Sequence, residues 1–219
     1  MTLISNTPES ATVVACRGEF RIEDPWAVPS AATPVDLNRS FDGAAPKLAT
    51  RCALFFDEAR LYILFSGRDD HITATYLEHD DPLYTEDVVE VFLAPESLTR
   101  YFEAEVNPLG ATFDALVDSP DGNRHTMNVD VAWNCEGLFA AVRRERDPQS
   151  TSFGFETIIA LPFASLGRNT PVNGETWRAN FFRIDRAPGG NEFTSWRPTG
   201  KYPADFHVPA VFGSIIFQL

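Results

Sequence analysis

Positive charge is scarce in this chain: 18 lysine and arginine residues stand against 31 aspartate and glutamate, a formal charge of −13 over 219 residues. Neither nucleic acid nor an anionic membrane surface rewards so acidic a partner, so the charge argues against both. Cysteine is sparser still. Cys16, Cys52 and Cys135 are far apart and odd in number, which gives neither a metal-binding spacing nor a disulfide framework, and they are expected as buried thiols. No apolar run approaches the length of a membrane span. The first residues, MTLISNTPESATVVACRG, lack a basic leader followed by an apolar stretch, so the sequence reads as cytoplasmic; an exported chain trimmed of its leader would read the same. Catalytic signatures are missing as well: no G-x-S-x-G elbow, no H-E-x-x-H, no phosphate-binding glycine loop and no useful Cys/His pairing. His71, His79, His125 and His207 are scattered through loops, match no zinc pattern and are expected at the surface.

What is present favours sheets. Phenylalanine occurs 18 times against 2 methionines, and aromatic residues suit strands better than helices. Short strand candidates run over 12–17, 48–56, 61–66, 111–117, 129–134, 138–143, 153–161, 177–185 and 211–217, besides the two in 84–110 described below. Only PFASL at 162–166 resembles a short helix, with proline at its start and Gly167 as a stop. About ten short strands without strand–helix alternation predict an antiparallel β-sandwich, jelly-roll-like, with long loops and at most a short helix. The 16 prolines fall mainly between strands, and no repeat or linker divides the chain, so one domain over 1–219 is expected.

The most informative stretch is 84–110, YTEDVVEVFLAPESLTRYFEAEVNPLG. With side chains alternating, Val89, Val91 and Leu93 share one face, and Val88, Glu90 and Phe92 the other. In the second run Phe102, Ala104 and Val106 oppose Tyr101, Glu103, Glu105 and Asn107. An antiparallel hairpin closed by residues 94–100 would then carry one apolar face and one face of acids, an amide and aromatics. That mixed face is either a solvated outer surface or a place to hold a polar ligand.

The order of elements carries a resemblance. ARLYILFSGRDD, TEDVVEVFLAP, YFEAEVNPLG, FGFETIIALPFASLG, ETWRANFFRID, SWRP and VFGSIIF together resemble the family 9 carbohydrate-binding modules and their stand-alone relatives, from about Leu48 to Leu219. The resemblance implies a β-sandwich whose concave sheet and loops bind a mono- or oligosaccharide between two aromatic rings. Carried over, the first aromatic falls on Tyr84, where sugar-binding members tend to have tryptophan, the second on Trp196, and the strand glutamate on Glu90.

The chemistry of a sugar fits such a site. Aromatic faces replace water on the apolar C–H face of a pyranose, while carboxylates, amides and guanidinium groups exchange hydrogen bonds with its hydroxyls. Glu90, Glu103, Glu105 and Asn107 are candidate polar contacts, and Arg183 is either a donor to the ligand or a neutralising partner for an acid such as Glu90. Trp26, Trp133 and Trp177 read as core or loop packing, whereas Trp196 lies in a polar loop, NEFTSWRPTGKYP, and is either an exposed stacking face or packed like the others. A glycoside hydrolase using two of Glu90, Glu103 and Glu105, or an accessory protein to one, is the alternative function. Calcium is compatible with the acidic loops around Asp69, Asp70, Asp80, Asp81, Glu86 and Asp87, although no twelve-residue calcium loop is present and no other cofactor is indicated. Nothing in the sequence fixes an oligomeric state.

Overall fold

A computed structural model describes residues 12–27, 29–146 and 152–219. Among them are thirteen strands: β1 (Thr12–Arg17), β2 (Val35–Arg39), β3 (Thr50–Phe56), β4 (Arg60–Asp69), β5 (Val88–Ser97), β6 (Arg100–Val106), β7 (Thr112–Asp118), β8 (Asn128–Asp130), β9 (Phe139–Arg146), β10 (Phe153–Pro162), β11 (Thr176–Ala187), β12 (Gly190–Ser195) and β13 (Gly213–Gln218). Helical structure is limited to single 3-10 turns at Leu83–Thr85 and Pro209–Val211. The PFASL segment forms consecutive turns instead of the expected helix. Leu166 N–H reaches both Pro162 O and Phe163 O, and Gly167 then takes a φ of 66°. One turn fixes several residues for too few hydrogen bonds to propagate a helix.

Strands β8-β7-β6-β5-β11 form one layer and β3-β4-β10-β9 the other. Two long strands join them at the side. β11 pairs with β13 through Thr176–Ala179 and with β12 further along, while β3 pairs with both β1 and β2. The bridges β12–β2 and β1–β13 then close that side of the sandwich. All pairings are antiparallel except those of β1 with β3 and β13. The all-β sandwich expected from the sequence is the observed architecture.

Alternation decides what each layer buries. Between the sheets lie Leu54 and Phe56 of β3, Ile63 and Phe65 of β4, Val89, Val91 and Leu93 of β5, and Trp177, Ala179 and Phe181 of β11. The intervening residues turn outward. Phe55, Tyr62 and Leu64 form a second cluster on the far face, covered by Phe20 and Trp26 of the N-terminal segment. On the near face Val88, Phe92, Tyr101, Phe113, Phe182 and Ile184 form a third, covered by Leu83, Phe206 and Phe212. The three cysteines are free and buried, as expected, and burial raises their thiol pKa values.

Candidate functional site

The hairpin read from the sequence is β5 and β6. Glu90 stands opposite Glu105, and Phe92 opposite Glu103, so all three glutamates rise from the outer face of the near sheet. On its other edge β5 pairs with β11, with Glu90 opposite Phe182. The even-numbered residues of β11, Phe182, Ile184 and Arg186, therefore share the glutamates' face. Arg183 does not. It stands opposite Val89 and points between the sheets, where its Nη2 lies 3.1 Å from both Asp69 Oδ2 and Asp185 Oδ2. The neutralising role holds, but its partners are these aspartates and not Glu90.

Two other expected ligand contacts are also placed elsewhere. Asn107 is 1% exposed and fully used in the β6–β7 turn: its Oδ1 accepts from Leu109 and Ala111 N–H at 3.0 Å, and its Nδ2 donates to Tyr76 O at 2.9 Å. Trp196 is 7% exposed, belongs to the core between the sheets and stacks on Phe181 at 5.3 Å. The first part of the segment taken for a polar loop, 191–195, lies in strand β12. Trp196 extends its ladder, N–H donating to Phe181 O at 2.9 Å, and alternation turns the indole inward. Tyr84 alone of the proposed aromatic pair is on the surface, 48% exposed, with its ring edge-on to Phe113.

Beside Tyr84 opens a cleft of about 400 Å³, lined by Glu90, Phe92, Glu103, Phe113, Arg124, Ile184, Arg186, Phe193, Asp205, Phe206 and His207 among others. This volume falls in the usual range of about 300–1,000 Å³ for small-ligand sites, and the mixture of aromatic walls and a few polar groups is typical of them. Arg186 lies over the Phe193 ring at 4.9 Å and donates from Nη2 to Tyr84 O at 3.2 Å. At the mouth Arg124 is 4.0 Å from Asp205.

The floor is electrostatically unusual. Glu90, Glu103 and Glu105 are 2%, 5% and 0% exposed, and each offers a carboxylate oxygen within 4.8 Å of the others. Glu90 Oε1 and both oxygens of Glu105 have no hydrogen-bond partner, nor has Arg186 Nε. Burial is the main reason all three carboxyls are hard to ionise, and repulsion from neighbouring glutamates adds to it at Glu90 and Glu105. Glu90 and Glu105 are pushed well above the usual carboxylate range and Glu103 up to about 7, with Arg186 opposing the shift at Glu90 and Arg124 at Glu103.

His207, expected at the surface, is instead packed into this site. Its ring lies 4.9 Å from that of Phe92, and Nδ1 is 2.8 Å from the Tyr101 hydroxyl. Burial and the facing Arg124 lower its pKa to about 3. The unfolded chain, with a histidine pKa of about 6.5, binds the proton more readily, so this residue withdraws stability as pH falls below that value. A nitrogen-15 NMR titration is expected to show His207 keeping a neutral imidazole from pH 7.5 to 4.5; protonation with a midpoint above 6 would contradict its placement.

Sequence reasoning missed Arg124, Arg186, Phe193 and His207. The signal for Arg186 was available: pairing Glu90 with Phe182 fixes which residues of β11 face the cleft. The acidic loops suggested for calcium spend their oxygens differently. Asp87 accepts from Thr73 and Arg186 N–H, Glu86 from Thr75, Asp81 from Glu78 N–H, and Asp70 pairs with Lys47.

The sequence model of Carbohydrate-binding family 9 matches residues 36–217. An extracellular protein of Arthroderma benhamiae is 23% identical over 197 residues, covering 84% of this chain and 85% of that protein. Among solved structures, a candidate carbohydrate-binding protein from Bacteroides uniformis superposes with a TM-score of 0.75 at 17% identity, covering 94% of this chain and 99% of that one. A family 9 module from Caldicellulosiruptor kristjanssonii in complex with cellotriose gives a TM-score of 0.60 at 16% identity, covering 95% and 94%. The glucose complex of a family 9 module from the same organism gives the same score and identity, covering 95% and 96%. At such identities the structural likenesses establish the fold.

Proposed function

The chain belongs to carbohydrate-binding family 9, and on that premise we propose that it binds a mono- or oligosaccharide, without catalysis, in the cleft over β5, β6 and β11. The observation that carries this reading is the pairing of aromatic walls with buried polar atoms that lack partners: Arg186 Nε as a donor and Glu90 Oε1 as an acceptor. An unsatisfied buried polar group costs about 1–3 kcal/mol, and a hydroxyl-rich ligand supplies the missing partner. Tyr84 offers the exposed stacking face, with Phe113 and Phe193 beneath and across. The two-ring clamp of the resemblance reduces here to one exposed ring and a polar floor.

Two other depressions are larger or similar in volume, about 530 Å³ beside Arg17–Phe20 and about 440 Å³ beside Arg143–Phe155. Both are mostly charged, and neither is lined by a polar atom left buried without a partner. Hydrolysis is the weaker reading for a geometric reason: Glu90, Glu103 and Glu105 all approach from one sheet face, whereas a glycosidase places its carboxyls to either side of the scissile bond.

Glucose and cellotriose, the ligands of the two related structures, are the first probes, followed by a glycan array. Tyr84→Ala is expected to weaken binding by about 1–2 kcal/mol, roughly tenfold, without changing the melting temperature by more than a few degrees. Calorimetry on both proteins checks this. Equal affinity in wild type and variant would remove Tyr84 from the site, and no binding to any glycan would sink the sugar reading.

A further inference from the structure

We propose that Glu90, Glu103 and Glu105 form a binding site for a hard divalent cation of the calcium class, set beneath the cleft. Three buried carboxylates drawn from two adjacent strands are within reach of one ion, since their oxygens lie within 4.8 Å of one another and calcium bonds oxygen at about 2.3–2.6 Å. Oxygen-only ligands exclude a preference for soft metals.

The second observation is the state of the acids themselves. Glu105 is wholly buried, and neither of its oxygens has a hydrogen-bond partner; Glu90 Oε1 is in the same condition. A buried carboxyl without a partner either stays protonated or is matched by a counter-ion or a metal, and a metal that replaces the protons lets the group ionise. The protein's own cations do not suffice. Arg186 and Arg124 act on Glu90 and Glu103 from the cleft side, two positive charges against three carboxyls, and neither acts on Glu105. The other groups around the cluster do not supply one either: Tyr101 and His207 bond each other, and Asp205 adds negative charge near Arg124. A divalent cation meets the deficit and gives the unpartnered oxygens their ligand. Glu90 and Glu103 line the cleft while Glu105 lies below it, so the ion would be reached from the cleft and held from underneath.

This site goes beyond the sugar reading, and its test contains no sugar. Wild-type protein stripped with chelator is titrated with Ca²⁺ by calorimetry, with Mg²⁺ as a second arm, and with Tb³⁺ while terbium luminescence is followed under tyrosine excitation. Saturable binding of one Ca²⁺ is expected, with sensitised terbium emission displaced by Ca²⁺. At calcium roughly a hundredfold above its dissociation constant the melting temperature should rise by about 5–10 °C. Glu105→Gln keeps the side chain's size and removes one charge; it should fold, melt at or above the temperature of the chelated wild type, and bind Ca²⁺ at least tenfold more weakly. Glu90→Gln should weaken binding likewise, giving a second variant should Glu105→Gln fail to fold. Absence of calcium heat, terbium emission and thermal shift in the wild type would overturn the proposal, as would unchanged calcium affinity in both variants. A chain that binds Ca²⁺ but no glycan keeps this site and loses the sugar reading.

Discussion

Trp196→Ala is expected to cost about 3–5 kcal/mol of folding free energy, because the indole fills the space between the sheets and its loss leaves a cavity that the surrounding strands cannot close. Trp196 is 7% exposed and stacks on Phe181 at 5.3 Å with an interplanar angle of 27°. It belongs with Phe181, Phe65 and Val91 to the same buried cluster. For a chain of this size each kcal/mol moves the melting temperature by about 2–4 °C, so a fall of about 10 °C or more is expected. Urea unfolding followed by circular dichroism measures the loss. If Trp196 were instead a surface wall of a sugar site, its truncation would leave stability unchanged and abolish binding, so the one variant separates the two placements.

Arg183→Met is the second large effect. The guanidinium is 4% exposed, lies 3.1 Å from Asp69 and Asp185, and donates to Thr50 Oγ1 at 3.0 Å and to Arg68 O at 2.8 Å, with Phe155 stacked beneath. Methionine preserves much of the volume but leaves two buried carboxylates facing each other without a cation. Removing one partner of such a cluster costs about 3–5 kcal/mol. The sign of the pH dependence follows from the same charges. Burial already raises the Asp185 pKa, and Arg183 opposes that rise; without the arginine Asp185 becomes harder still to ionise. A group whose folded-state pKa is raised loses stability as pH increases through that value, so the deficit of Arg183→Met should be largest near pH 7 and shrink toward pH 4. A deficit that does not change with pH would show that packing over Phe155, and not charge, is what Arg183 contributes. Sugar affinity should change little, since Arg183 points away from the cleft.

These two residues also show where the sequence stopped being legible. Alternation within 84–110 was enough to place Glu90, Glu103 and Glu105 on one outer face, and the observed pairing of Glu90 with Glu105 agrees. Alternation is local, so it survives without knowledge of the fold. Register between distant strands is not local. Whether Arg183 or Arg186 meets Glu90 depends on sliding β11 along β5 by a single residue, and a one-residue shift exchanges faces. Asn107 had the parity of the acidic face, but β6 ends at Val106, and beyond a strand's end the side chain serves the turn. Trp196 was misplaced because β12, GNEFTS, is short and polar, and its strand character comes from pairing with β11 and not from its own composition. His207 lies in a segment without periodicity; its position follows from Phe206 and Phe212 docking on the near-face cluster.

The central claim is that a sugar occupies the cleft beside Tyr84, and mapping of backbone amide shifts during a titration with glucose or cellotriose tests it most directly. The expected perturbations fall on Tyr84, Glu90, Glu103, Arg124, Arg186 and His207, leaving Arg183, Trp196 and the far sheet around Arg143 undisturbed. Saturable shifts centred on the far sheet, or none with any sugar that the chain is found to bind, would contradict it.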